Sequence, residues 1–129
     1  MVGYKNQQDF EMAKRYSQPK TFMECQRRHS LMARELAKIG WVWPGTVQRR
    51  MLTCGKPQCI CHRDAEARHG PYFYWTSKKN GKTVSRKLTQ REAEILEAWI
   101  NNRRKLDATV KRMMEVSERA LHLTLRVKT

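Results

Sequence analysis

Cys54, Cys59, Cys61, His62 and His69 all fall within sixteen residues of this 129-residue chain. One further cysteine, Cys25, stands apart from them. Counted to His69, the spacing is Cys-x4-Cys-x-Cys-x7-His. Three thiolates and one imidazole form the donor set of a closed structural zinc site, and one Zn2+ ion is the expected cofactor. His62 directly follows Cys61, and neighbouring residues seldom reach the same tetrahedral ion, so His69 is the preferred fourth ligand and His62 the alternative. Gly55 is expected to allow a sharp turn inside the first gap, with Pro57 stiffening the approach to Cys59. Gly70-Pro71 is expected to turn the chain back toward the cluster. Disulfides fit less well, because Cys59 and Cys61 are too close in sequence to pair readily.

Other chemistry has less support. A catalytic zinc keeps an open position and works with a nearby general base. Asp64 and Glu66 lie close by, but in a polar loop, where solvation or pairing with Arg63 and Arg68 is expected. There is no phosphate-binding glycine loop, nucleophile elbow or carboxylate cluster of nuclease type. Binding rather than catalysis is therefore expected, and the chain is read as no enzyme.

Charge points the same way. Lysine and arginine number 27 against 12 acidic residues, a formal net charge of +15. Residues 45–88 carry ten basic and two acidic groups, net +8, more than either flank. A cationic surface concentrated beside a rigid metal loop suits a polyanionic partner, DNA or RNA. The basic candidates are Arg49, Arg50, Lys56, Arg63, Lys78, Lys79, Lys82, Arg86 and Lys87. Tyr72 and Tyr74 are candidates for stacking on bases or sugars. No run approaches the ~20 apolar residues of a membrane span. The first ten residues contain no apolar segment of the signal-peptide kind. A cytoplasmic location, where thiols stay reduced, is expected.

The elements that position these residues give an α+β fold. Residues 1–18 are polar and read as a flexible N-terminus. Residues 19–88 read as a helix followed by a zinc-knuckle and β-hairpin module. The helix is expected from Lys20 to Ile39, with Phe22, Cys25, Met32, Leu36 and Ile39 on one apolar face and Gly40 as its stop. It is expected to pack beside the sheet, with Trp41 and Trp43 as buried anchors between them; stacking on bases is the alternative for this pair. Val47–Thr53 reads as a first strand. Tyr72–Ser77 and Thr83–Leu88 read as a hairpin closed by Asn80-Gly81 in a type I′ turn. That register sets Lys79 opposite Lys82, Ser77 opposite Val84, Trp75 opposite Arg86 and Phe73 opposite Leu88. It puts Tyr72 and Tyr74 on the other face, with Lys87 opposite Tyr74, and lets Arg86 lie over Trp75. The result is a small three-stranded antiparallel sheet with an inserted zinc knuckle.

Residues 89–129 read as one long C-terminal helix. Thr89-x-x-Glu92 is a capping box, and no glycine or proline follows. Arg126 and Lys128 suit the negative end of the helix. Leu96, Trp99, Arg103, Leu106, Val110, Met113, Ser117 and Ala120 follow a heptad alternation, which predicts a coiled-coil homodimer or packing within the chain.

The segments Pro44–Arg50 (PGTVQRR), Cys54–Cys61 (CGKPQCIC), His69–Trp75 (HGPYFYW) and Asn80–Thr83 (NGKT) resemble a family of small uncharacterised bacterial proteins. That family is known as a domain of unknown function and is associated with mobile genetic elements. The resemblance covers about residues 36–105. It implies Cys54, Cys59, Cys61 and His69 as the matching metal positions, leaves His62 outside the pattern, and implies no reaction. Two functions follow as expectations. One is a zinc-stabilised nucleic-acid-binding accessory protein of a mobile element or an associated nucleoprotein machine. The other is an adaptor that dimerises, or docks on a larger protein effector, through its long helix.

Overall fold

A computed structural model describes residues 17–125. The flexible stretch expected at the N-terminus therefore lies, up to residue 16, outside the described residues, as do Arg126 and Lys128. The order of elements is helix α1 (Phe22–Ala37), strand β1 (Thr46–Leu52), two 3-10 turns (Ile60–His62 and Ala65–Ala67), strands β2 (His69–Lys79) and β3 (Lys82–Leu88), and helix α2 (Gln90–Leu125). The fold is α+β as expected. The sheet is antiparallel in the order β1-β2-β3, and the cysteine cluster lies between β1 and β2.

Two compact units divide the chain. One consists of Ile39–Asp107, which includes the sheet and the first half of α2. The other runs to Lys38 and resumes at Ala108, joining α1 to the second half of α2.

In the sheet unit, hairpin chemistry sets the register. Asn80 and Gly81 have φ of 53° and 78°, the two positive values a type I′ turn needs. All four predicted cross-strand pairs form, from Lys79 with Lys82 to Phe73 with Leu88. Because side chains alternate across a strand, Phe73, Trp75, Val84, Arg86 and Leu88 share one face with Val47 and Arg49 of β1. Tyr72, Tyr74 and Lys87 share the other face with Gln48 and Arg50. Leu88, Ala93 and Ile100 are buried and form the core where the last strand passes into α2.

The N-terminus of α2 is capped as the sequence predicts. The Thr89 N–H donates to Glu92 Oε1 at 3.0 Å, and the Glu92 N–H donates to Thr89 Oγ1 at 3.1 Å. The N-terminus of α1 is held in the same way. Thr21 Oγ1 accepts from the Glu24 N–H at 3.1 Å, a second T-x-x-E signature that defines a start two residues later than predicted. The helix ends at Ala37, with Lys38 as its cap, before Gly40 is reached.

In the helical unit α1 is grouped with the second half of α2, the packing within the chain that the sequence offered beside a homodimer. Two side-chain bonds tie α1 and the segment before it to α2. Arg112 pairs with Glu35 at 2.8 Å, and Arg119 donates to the Pro19 carbonyl at 2.9 Å. The stripe of α2 that is covered runs through Thr109 and Val116, which are 3% and 7% exposed. Of the predicted heptad, Leu96, Trp99, Arg103, Leu106, Met113 and Ala120 are half-buried, whereas Val110 and Ser117, one residue beyond Thr109 and Val116 and about 100° around the helix, are exposed. Val110, Met114 and Leu121 are consequently exposed. On α1, Cys25 is buried and Met32 and Leu36 are half-buried, whereas Phe22 is exposed.

Glu92 gives a pH-dependent test of this cap. The Thr89 N–H and hydroxyl hold its carboxyl below the usual glutamate value. A depressed folded-state pKa adds stability that is complete above the unfolded value and is lost as pH falls through the folded one. The melting-temperature difference between wild type and Glu92→Gln should therefore narrow on acidification. Thr89→Ala should cost about 1 kcal/mol in urea unfolding near neutral pH. A difference that does not change with pH would contradict the capping role.

Candidate metal centre

Cys54 lies two residues beyond β1, and His69 is the first residue of β2. The ladder pairs Leu52 with His69, with a register shift between Arg50 and Leu52. The sheet thus brings the first and last members of the cluster to the same edge. The intervening loop adds Cys59 and Cys61 through the 3-10 turn Ile60–His62. One ligating atom from each of Cys54, Cys59, Cys61 and His69 lies within 4.8 Å of all the others. All four cysteines are free thiols.

The distances fit one tetrahedral ion. With Zn–S bonds of about 2.3 Å and a Zn–N bond of about 2.0–2.1 Å, tetrahedral edges are about 3.8 Å between sulfurs and about 3.5 Å between sulfur and nitrogen. Cys54 Sγ and Cys61 Sγ are 3.6 Å apart, and Cys59 Sγ and His69 Nε2 are 3.5 Å apart. Backbone donors already serve the sulfurs. The Cys54 N–H donates to Cys61 Sγ at 3.3 Å. The Cys61 N–H donates to Cys59 Sγ; this bond, followed by the His69 ring and the neighbouring thiols, lowers the Cys59 pKa to about 6. At Cys61 the Cys54 N–H favours the thiolate, but burial and the adjacent sulfurs outweigh it and raise the pKa. Each sulfur ligates as the thiolate. The crowding that opposes ionisation at Cys61 is the kind a bound cation would reverse.

His62 lies outside the donor set. Its Nε2 is 2.9 Å from the Cys54 carbonyl, so the ring braces the loop backbone from outside the cluster. Asp64 is an N-cap, its Oδ1 accepting from the Glu66 N–H at 3.0 Å. Among the described residues the ion pairs are Arg103–Asp107 and Arg112–Glu35, so of the two expectations for Asp64 and Glu66 the exposed carboxylates meet solvation rather than pairing with Arg63 and Arg68. Arg63 donates instead to the Gln58 carbonyl at 3.4 Å.

Two expectations about the loop glycines change. Gly55 is not among the positive-φ residues, and a Cβ there would meet nothing within 4 Å, so the turn does not require glycine. Gly70 and Pro71 lie inside β2 rather than in a turn. Gly70 has φ of 134°, and a Cβ there would lie 2.8 Å from the Arg50 carbonyl oxygen. Only glycine allows β2 to pass so close to the irregular end of β1, and this passage brings His69 to the cysteines.

The predicted nucleic-acid residues fall on three parts of the same unit. Arg49 and Arg86 are exposed on the tryptophan-bearing face of the sheet. Lys78, Lys79 and Lys82 are exposed at the hairpin tip, and Lys56 and Arg63 on the metal loop. Arg50 and Lys87 lie on the tyrosine face, where each already covers a ring. The Arg50 guanidinium sits 4.6 Å from the Tyr74 centroid, and the Lys87 ammonium 4.6 Å from that of Tyr72. Among the described residues these two pairs are the cation–π contacts, in place of the expected Arg86–Trp75 pair.

The tryptophans also depart from expectation. Trp41 is 74% exposed and Trp43 42%, so neither is a buried anchor. Each lies against a second tryptophan, Trp41 with Trp99 at 5.7 Å between centroids and Trp43 with Trp75 at 6.1 Å. Nothing in the local sequence distinguishes such surface pairs from a core. Their partners lie 58 and 32 residues away along the chain.

Among the described residues no helix is long and apolar enough to cross a membrane. Replacing His69 with alanine should lower zinc affinity by at least about tenfold, by losing one of four ligands, whereas His62→Ala and Cys25→Ala should retain one ion per chain by mass spectrometry. Gly70→Ala should weaken the metal although it removes no ligand. Full loading of His69→Ala together with loss of metal in His62→Ala would reverse the ligand assignment.

Comparison with curated proteins and with solved structures finds no match. Residues 22–98, which span α1, the sheet, the cysteine cluster and the start of α2, match a domain of unknown function (DUF6788), and the chain belongs to that family.

Proposed function

We propose that this protein is a zinc-stabilised nucleic-acid-binding accessory protein. The ion is zinc, chosen by three thiolates and one imidazole at tetrahedral spacing. Four protein ligands leave no open position, and Asp64 is occupied as a cap, so the ion is structural and the chain is not an enzyme. Such a site needs reduced thiols, which suits the cytoplasm.

The observation that carries the nucleic-acid reading is uncompensated charge. Residues 45–88 have ten cations and two acids, and neither ion pair among the described residues involves any of them. Lys79 and Lys82 stand directly opposite each other next to the hairpin turn. Like charges so placed disfavour strand pairing, and a phosphate between them relieves the repulsion. The resemblance to mobile-element proteins supports DNA, or an RNA–protein machine that acts on DNA, as the setting.

A gel shift titrated with salt, using DNA and RNA, tests this. Affinity should fall linearly in log–log form with salt. A Lys79→Ala, Lys82→Ala double variant should reduce the slope by about 2 without loss of stability. Absence of any shift near 50 mM salt would refute the reading.

A second reading has its own observation. The helical unit exposes Phe22, Met23 and Leu31 on α1 and Val110, Met114, Leu121 and Leu125 on α2. Apolar surface on that scale suits an adaptor that dimerises or docks on a larger protein effector. Sedimentation velocity should then show a dimer, or a complex with such an effector, and a Met114→Glu, Leu121→Glu variant should abolish it while leaving metal content unchanged. A lone monomer at all concentrations, with no effector bound, would exclude this reading.

A further inference from the structure

The two aromatic sets of the sheet unit differ in availability. Tyr72 and Tyr74 are half-buried, and each has one ring face under a cation. A base would have to displace Lys87 or Arg50, or approach from the opposite side. The tryptophans form a connected surface, and among the described residues no cation lies over any of their rings. Trp75 on β2 contacts Trp43, the Trp43 N–H donates to the Trp99 carbonyl at 3.2 Å, and Trp99 on α2 contacts Trp41.

Within this series Trp75 and Trp99 are half-buried, while Trp43 and Trp41 are exposed, Trp41 at 74%. Trp41 is also held firmly. Its carbonyl accepts from Asn102 Nδ2 at 2.8 Å, and one side of its indole is backed by Trp99. Further along the same segment, Trp75 Nε1 donates to the Pro44 carbonyl at 2.9 Å. A large, rigidly mounted indole left mostly in water costs solvation free energy, and an exposed π-face suits a planar partner.

The sheet face that bears Trp75 supplies the complementary charge. Arg86 is its direct cross-strand partner on β3, and Arg49 lies on the same face of β1. Both are exposed, and neither enters an ion pair among the described residues. Aromatic platforms next to exposed arginines match the alternating bases and phosphates of an unpaired strand. In a duplex the base faces are stacked on one another and out of reach.

We infer that the partner of this unit is single-stranded nucleic acid, with Trp41 as the stacking platform for an unpaired base and Arg49 and Arg86 on the phosphates. This rests on the nucleic-acid reading above and narrows it. The tyrosines then serve the sheet, clasped by Arg50 and Lys87, rather than the ligand.

Fluorescence anisotropy tests it, using labelled twelve-nucleotide oligo(dT), oligo(U) and a mixed-sequence duplex at low salt. Wild type should prefer single strands, and oligo(dT) should quench its intrinsic tryptophan emission. Trp41→Ala should lose about tenfold in single-strand affinity with little change for duplex. Trp41→Phe, which keeps a ring, should recover most of the loss, and Tyr72→Phe should bind as wild type does. The two oligonucleotides distinguish DNA from RNA. Equal single-strand binding by wild type and Trp41→Ala, or a preference for duplex, overturns the inference while the broader reading stands. No binding to any of the three polymers overturns both.

Discussion

Three thiols and one imidazole converge where two antiparallel strands end, and the shape of the sheet unit depends on that convergence. β1 leaves the sheet at Leu52, β2 enters at His69, and the loop between them contains only two short 3-10 turns. The unit's buried apolar side chains cluster at Leu88, Ala93 and Ile100, where β3 passes into α2. The loop has no comparable core. In the proposed reading the ion supplies it, and metal binding and local folding are one process. Gly70 belongs to the same device, because its missing Cβ lets β2 approach the irregular end of β1 closely enough to deliver His69.

The clamp and the charge are complementary. The segment 45–88, with ten cations and two acids, repels itself, and Lys79 facing Lys82 is the sharpest case. Part of the repulsion is absorbed locally, where Arg50 and Lys87 lie over tyrosine rings. The remainder points outward. In the proposed reading a closed metal site resists this repulsion without adding negative side chains to the surface, which leaves the surface available to a polyanion. The helical unit solves a different problem. Arg112–Glu35 and Arg119 at Pro19 join α1 to α2, and a row of apolar side chains is left facing out.

Features set by local chemistry were legible in the sequence. Asn80-Gly81 determined the turn and, through it, every pair of the β2–β3 ladder. Thr89 and Glu92 marked the start of α2. The donor types and their spacing picked out Cys54, Cys59, Cys61 and His69, which the fold brings within reach of one another. Features set by distant contacts were not legible. Trp41 and Trp43 have the hydrophobicity of core residues, and only partners at positions 99 and 75 reveal them as surface pairs. The covered stripe of α2 was legible in part: six of the eight heptad positions are half-buried, but beside the exposed Val110 and Ser117 it is the preceding Thr109 and Val116 that are buried. The Gly70-Pro71 pair resembled a turn because the sequence does not show how closely the neighbouring strand passes.

Hydrogen exchange on the metal-replete protein and on protein stripped by a strong chelator tests the central claim most directly. The account predicts stoichiometric zinc in the first sample. In the second it predicts loss of amide protection across the 54–68 loop, the end of β1 and the start of β2, with α2 keeping its protection. Unchanged protection of those strands after complete removal of the metal would contradict it.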